Sequence, residues 1–128
     1  MAQYHAKSLI KPTTGRRRPA HKKKKYEIGG NWIETKIGKN HAATIRTRGG
    51  KIKKNLLRAE FANVRDATGK IVKTKITGVL EHSDNPHYVR RIIITKGCVV
   101  STELGRVKVT SRPGQAGVVN GILLAAPQ

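Results

Sequence analysis

The chain has 128 residues and carries 27 Lys and Arg against 7 Asp and Glu, a formal net charge of +20 at pH 7. This length predicts one domain rather than two, and this charge favours a polyanionic partner, either nucleic acid or an anionic membrane surface. No apolar stretch approaches the roughly 20 residues that span a bilayer, and none resembles the apolar region of a secretory signal peptide. The single cysteine, Cys98, excludes an intramolecular disulfide.

The positive charge is concentrated in the first half of the chain. Residues 1–58 hold 17 Lys and Arg with 2 acids, whereas residues 59–128 hold 10 Lys and Arg with 5 acids. Residues 1–40 also contain too few apolar side chains to offset the entropy lost when they become ordered. We therefore predict a long, basic, extended arm over residues 1–40, disordered until a partner binds it, and a folded domain over residues 41–128.

The densest charge of the arm lies between Gly15 and Tyr26, where seven of twelve residues are Lys or Arg and none is acidic. Burial of unpaired cations is strongly unfavourable, so this run predicts contact with a dense polyanion rather than a place in a core. Tyr26 and Trp32 interleave with the basic residues. Two interpretations remain open for each: the ring stacks on an unpaired base, or it pins the arm to the folded domain.

The folded domain shows the patterns of short strands. Period-two alternation over residues 43–48 predicts a strand with one apolar and one cationic face, and Gly49-Gly50 predicts a turn after it. An Asn-Pro pair predicts one helical turn over residues 86–90. Many short strands separated by Gly and Pro turns favour a mainly β fold, and a small antiparallel β-barrel would leave no exposed sheet edge. Further strands are predicted at residues 56–64, 71–80, 92–95, 98–102, 107–110 and 118–124, with turns at 66–69 and 112–115.

Signals for catalysis and for metal binding are weak. The three Gly-Lys pairs lack both the earlier Gly and the following Ser or Thr of a phosphate-binding loop, and there is no Gly-x-Ser-x-Gly elbow. The seven acids and five histidines are dispersed, and one cysteine cannot form a zinc knuckle. We therefore expect no enzymatic activity, no small-molecule substrate, no metal and no cofactor.

The basic pattern continues from the arm into the folded domain, which predicts a nucleic-acid surface made of both. Composition leaves RNA and DNA open. A threading arm suits folded RNA, whose packed helices enclose phosphate-lined channels, and no helix long enough to read DNA is predicted. The predicted RNA-binding residues are Arg16, Arg17, Arg18, His21, Lys22, Lys23, Lys24, Lys25, Tyr26, Lys36, Lys39, Arg46, Arg48, Lys51, Lys53, Lys54 and Arg58.

Several long segments also carry a family resemblance. They are TGRRRP (14–19), HKKKKYEIG (21–29), TKIG (35–38), RTRGG (46–50), NPHYVRR (85–91), TKG (95–97) and TSRPGQ (110–115). From Lys11 onward the chain resembles the small-subunit ribosomal protein eight family of archaea and eukaryotes, and the last three segments are similar to its archaeal branch. The chain looks shorter than eukaryotic members, as if it lacked an insertion that they carry.

The resemblance implies a small β-barrel whose basic extension is bound into small-subunit ribosomal RNA. It implies a structural constituent of the 30S subunit, in the cytoplasm, which binds 16S rRNA and supports its folding and assembly for translation. Neighbouring small-subunit ribosomal proteins are the other implied partners, with no membrane. The alternatives from the residues alone are a non-ribosomal architectural protein that coats nucleic acid and, less favoured, an enzyme acting on RNA.

Overall fold

The computed structural model describes residues 3–5 and 7–124. Its contacts divide the chain into two compact units, the first ending at Trp32 and the second beginning at Ile33. Residues 33–40 are therefore grouped with the second unit, while the role of residues 1–40 as one binding arm stays a prediction. The outermost parts of the two predicted ranges, residues 1–2 and 125–128, lie outside the described residues, as does residue 6.

The first unit contains little regular structure. Two short strands, β1 (Gln3–Tyr4) and β2 (Ile28–Gly29), pair in antiparallel fashion and bring the ends of a long loop together. Within that loop Ile10 and Arg16 form an isolated antiparallel bridge. A single 3-10 turn over Lys25–Glu27 leads into β2.

Over residues 33–124 the second unit contains eight strands, whereas the sequence patterns predict seven. They are β3 (Lys36–Ile37), β4 (His41–Arg46), β5 (Ile52–Ala59), β6 (Phe61–Arg65), β7 (Ile71–Glu81), β8 (Val99–Thr102), β9 (Gly105–Val109) and β10 (Asn120–Leu123). Strands β6 to β10 form a closed barrel in the order β10-β6-β7-β8-β9, and β3, β5 and β4 form a separate three-stranded sheet in the order β3-β5-β4. The predicted mainly β fold with a small barrel is confirmed. The barrel pairs are antiparallel except for β10 with β6, which is parallel.

Within residues 33–124, a 3-10 turn over Arg48–Gly50 and two α-helices of one turn each complete the unit. The predicted turn is found as α1 (His87–Arg90), where the Asn85 side-chain oxygen accepts a hydrogen bond of 2.9 Å from the His87 backbone N–H. The second, α2 (Pro113–Ala116), replaces the turn predicted at residues 112–115. No helix within residues 3–5 and 7–124 is long and apolar enough to cross a membrane.

Small aliphatic side chains fill the barrel. In β9, Val107 and Val109 are buried while Arg106 and Lys108 are exposed, as period-two alternation requires. Cys98 is also fully buried in this core, as expected for a small apolar side chain, and desolvation raises the pKa of its thiol.

Two strand predictions are wrong in part or in full. The strand predicted at residues 56–64 is in fact two strands with a break at Glu60, because β5 belongs to the three-stranded sheet and β6 to the barrel. At the break, the Glu60 backbone N–H donates to the Asn40 side-chain oxygen at 2.9 Å. Residues 92–95 form no strand. They make only an isolated bridge between Ile93 and Lys36, although Ile93 and Ile94 are buried.

Barrel closure at β10 depends on a position without a side chain. Gly121 is buried, and a Cβ there would lie 2.9 Å from the Lys108 carbonyl oxygen and would overlap the Val107 side chain. We predict that Gly121→Ala lowers the free energy of unfolding by about 1–3 kcal/mol, because overpacking forces the β9–β10 pair apart. Urea unfolding followed by circular dichroism measures this change.

The matched control is Gly78→Ala in β7 of the same barrel. A Cβ at Gly78 meets nothing within 4 Å, and Gly78 has no positive φ. This control should change the free energy of unfolding by less than about 0.5 kcal/mol. Equal losses in the two variants would contradict the close packing of β10 against β9.

Candidate nucleic-acid interface

The most basic folded element is a β-hairpin formed by β4, the following turn and β5. This segment, residues 41–59, is called the basic hairpin below; it holds six Lys and Arg and no acid. Its strands pair in antiparallel fashion from Ala42 opposite Leu56 to Arg46 opposite Ile52. The turn closes where the Thr47 backbone N–H donates to the Lys51 carbonyl oxygen. Gly49 and Gly50 have φ of +74° and +76°, a backbone conformation that favours glycine.

The cations of the basic hairpin are not neutralised within the described part of the chain. The ion pairs there join Glu27 to His21, Glu34 to Lys36 and Arg91, and Glu60 to Lys75. None of them includes a Lys or Arg of residues 41–59. The hairpin therefore presents uncompensated positive charge, which attracts a polyanion.

Exposed isoleucines lie between these cations. The strand predicted over residues 43–48 is found as β4 (His41–Arg46), but its predicted apolar face is not part of the core: Ile45 is 47% exposed, and Ile52 on β5 is 66% exposed. The hairpin thus combines charged and apolar contact area.

Helix α2 supports the hairpin at β5. The Lys53 ammonium donates a hydrogen bond of 3.0 Å to the Gln115 side-chain oxygen. Gly117, just after the helix, has a φ of +74°, and a Cβ there would lie 3.0 Å from the Lys54 carbonyl oxygen. Helix α2 was not predicted, although Pro113 at the first helical position and Gly117 after the last are the signals of such a turn.

The first unit carries most of the other predicted cations, and its one acid has local partners. Glu27 accepts a hydrogen bond of 3.1 Å from the Lys24 backbone N–H and lies 2.8 Å from the His21 ring nitrogen. These hydrogen bonds lower the pKa of Glu27, so the carboxylate stays ionised. The Lys23 ammonium lies 4.6 Å from the centroid of the Tyr4 ring, a cation–π contact.

The predicted RNA-binding residues are placed as follows. The first unit contains Arg16, Arg17, Arg18, His21, Lys22, Lys23, Lys24, Lys25 and Tyr26; the second contains Lys36 on β3, Lys39 between β3 and β4, and Arg46, Arg48, Lys51, Lys53, Lys54 and Arg58 on the basic hairpin. Tyr26 is 69% exposed and Trp32 is 54% exposed. The binding roles of all these residues remain predictions.

His41 lies among the hairpin cations but was not among the predicted RNA-binding residues. His41 lies opposite Arg58, and Arg58 lies opposite Lys36, so the three form one row across the three-stranded sheet. A register shift next to His41 obscures this row in the sequence. Among residues 3–5 and 7–124, no three His, Cys, Asp or Glu side chains are grouped so that they could hold a metal ion.

Comparison with known proteins gives one consistent family. The profile of the family described as Ribosomal protein S8e matches residues 4–124. A relative from Nanoarchaeum equitans is 50% identical over 113 residues, covering 87% of this chain and 89% of the relative. Relatives from Methanocorpusculum labreanum and Staphylothermus marinus are each 48% identical, covering 94% and 97% of this chain and 98% of each relative. All three are named small ribosomal subunit protein eS8, and the chain belongs to the ribosomal protein S8e family.

Proposed function

We propose that this protein is a structural constituent of the small (30S) ribosomal subunit. In this role it binds 16S rRNA through the basic arm and the basic hairpin and supports the folding of that RNA during assembly for translation. The observation that carries the proposal is the basic hairpin itself: six cations, no acid and no ion pair among its described residues. The names of the archaeal relatives supply the ribosomal setting.

The hairpin would bind RNA by replacing counterions along the phosphate backbone. Each Lys or Arg that neutralises a phosphate releases condensed cations, which makes the affinity strongly dependent on salt. Arg46 and Arg48 present planar forks that match two phosphate oxygens, whereas Lys51 acts as a point charge. The exposed Ile45 and Ile52 would add apolar contact with riboses and bases.

The arm would bind in a different way, by filling narrow space between RNA helices. Seven Lys and Arg lie between Gly15 and Tyr26, and the acid that follows them in the sequence, Glu27, is hydrogen-bonded to His21 and to the Lys24 backbone. Tyr26 would stack on an unpaired base. The proposed role is structural and includes no catalysis. Neighbouring small-subunit proteins in the cytoplasmic ribosome would be the remaining partners.

We predict that the triple variant Arg46→Gln, Arg48→Gln, Lys51→Gln binds a 16S rRNA transcript with a shallower salt dependence. Each lost phosphate contact reduces the slope of log affinity against log salt by about 0.7–0.9, so the triple change should reduce it by about 2–3. Filter binding between about 50 and 200 mM salt measures the slope.

The matched control replaces two exposed arginines and one exposed lysine outside the hairpin: Arg90→Gln, Lys96→Gln, Arg106→Gln. Its slope should stay within about one unit of the wild type. If both triples flatten the slope equally, the hairpin is not the RNA face. Equal affinity of the wild type for random duplex DNA and for the transcript would favour the alternative, a non-ribosomal architectural protein.

A second prediction concerns the ribosomal setting. In sucrose gradients of lysate from cells producing the tagged chain, the wild type and the control triple should migrate with small subunits. The hairpin triple should be depleted from that fraction, because loss of three phosphate contacts weakens binding to the RNA. Immunoblots across the gradient measure the distribution. Wild-type protein found only at the top of the gradient would contradict the proposal.

A further inference from the structure

One row of basic side chains crosses the three-stranded sheet. Lys36 on β3 lies opposite Arg58 on β5, which lies opposite His41 on β4. Residues directly opposite each other point to the same face of a sheet, and neighbouring strands are about 4.8 Å apart. The three side chains therefore rise from points within about 10 Å, close enough to surround a single small anion.

These three residues line one open pocket. Its volume is about 500 Å³, and the remaining lining side chains are Glu34 and Leu57. This volume falls in the range of small-molecule sites, roughly 300–1,000 Å³, and exceeds what one inorganic phosphate needs. Leu57 supplies an apolar patch beside the charged row, which suits a ligand with an anionic end and a less polar body.

A buried hydroxyl next to β3 orients Glu34 and Lys36. Thr35 is 1% exposed, and its side-chain hydroxyl donates a hydrogen bond of 2.7 Å to the Leu56 carbonyl oxygen. Because alternate residues point to opposite sides of an extended segment, Glu34 and Lys36 are directed away from the core and into the pocket.

Glu34 is the one acid of the pocket, and its charge is already engaged. A terminal nitrogen of Arg91 donates to both carboxylate oxygens, at 2.8 and 2.9 Å, whereas the Lys36 ammonium lies farther away at 3.6 Å. The short Arg91 contacts compensate the carboxylate and leave Lys36 weakly held. Lys36 and Arg58 thus remain available to an incoming anion.

We propose that this pocket is a binding site for the phosphate group of a nucleotide unit. Arg58 would donate to two phosphate oxygens, Lys36 would pair with the same phosphate as a point charge, His41 would donate a ring N–H, and Leu57 would contact the sugar. The phosphate is supplied either by an RNA chain or by a free nucleotide. Only the first source rests on the proposed function.

The test is a titration of the full chain with uridine 5′-monophosphate at constant ionic strength and near-neutral pH, followed by NMR signals of Lys36, His41 and Arg58. These signals should shift together and saturate. Arg58→Gln should weaken binding at least about tenfold, since a hydrogen bond to a charged group contributes about 1.5–3 kcal/mol. Arg106→Gln, an exposed strand arginine outside the pocket, should bind as the wild type does. Shifts that fail to saturate, or equal losses in both variants, would overturn the site.

A second variant is expected to bind the nucleotide more tightly, a result that a loss of folding could not produce. Glu34→Gln removes the negative charge that faces the phosphate and frees Lys36, while its amide oxygen can still accept from Arg91. Uridine 5′-monophosphate should bind this variant several-fold more tightly. Unchanged or weaker binding would show that the carboxylate does not face the ligand and would overturn the site.

The experiments distinguish the source of the phosphate, and they test this site separately from the proposed function. Displacement of uridine 5′-monophosphate by decauridylate supports the site with RNA as the source, and lack of displacement supports it with a free nucleotide. If the nucleotide fails to saturate the pocket while salt-dependent binding to 16S rRNA persists, only this site is overturned. If the pocket saturates but 16S rRNA is not bound, only the proposed function is overturned.

Discussion

Strand β5 connects the hydrophobic core to the charged surface. At one end Leu56 and Ala59 are buried in the core. At the other end Lys53 and Lys54 are exposed, with β4 alongside and the Lys53 ammonium hydrogen-bonded to Gln115. Because one continuous strand carries both the buried residues and the exposed lysines, packing of the core fixes the positions of these cations. A rigid array of charge loses less side-chain freedom on binding than a mobile loop does.

The two acids that flank the basic hairpin in the sequence do not neutralise its positive charge. Glu34 precedes it and is held by Arg91, while Glu60 follows it and lies 3.9 Å from Lys75. Both carboxylates therefore interact with cations that lie outside residues 41–59. Like charges left together on the hairpin repel one another in the free protein, and a phosphate backbone would relieve that repulsion.

Local patterns in the sequence predict local structure well. The Asn85–His87 hydrogen bond at the start of α1, the Asp66–Gly69 turn and the strand β4 all follow from short-range chemistry. The break at Glu60 does not follow from a local pattern. Residues 56–64 have the composition of one strand, although they belong to two strands in different sheets. The row formed by Lys36, Arg58 and His41 depends on register across three strands, and the parallel pairing of β10 with β6 depends on barrel closure. Neither feature has a local signal.

The central claim is that the basic arm and the basic hairpin contact 16S rRNA. Ultraviolet cross-linking of intact small subunits, followed by mass spectrometry of the attached peptides, tests it most directly. The account predicts cross-links concentrated in residues 16–26 and 41–58, with far fewer in residues 99–109 of β8 and β9. Cross-links confined to the β8–β9 wall, or spread evenly over the exposed cations, would contradict it.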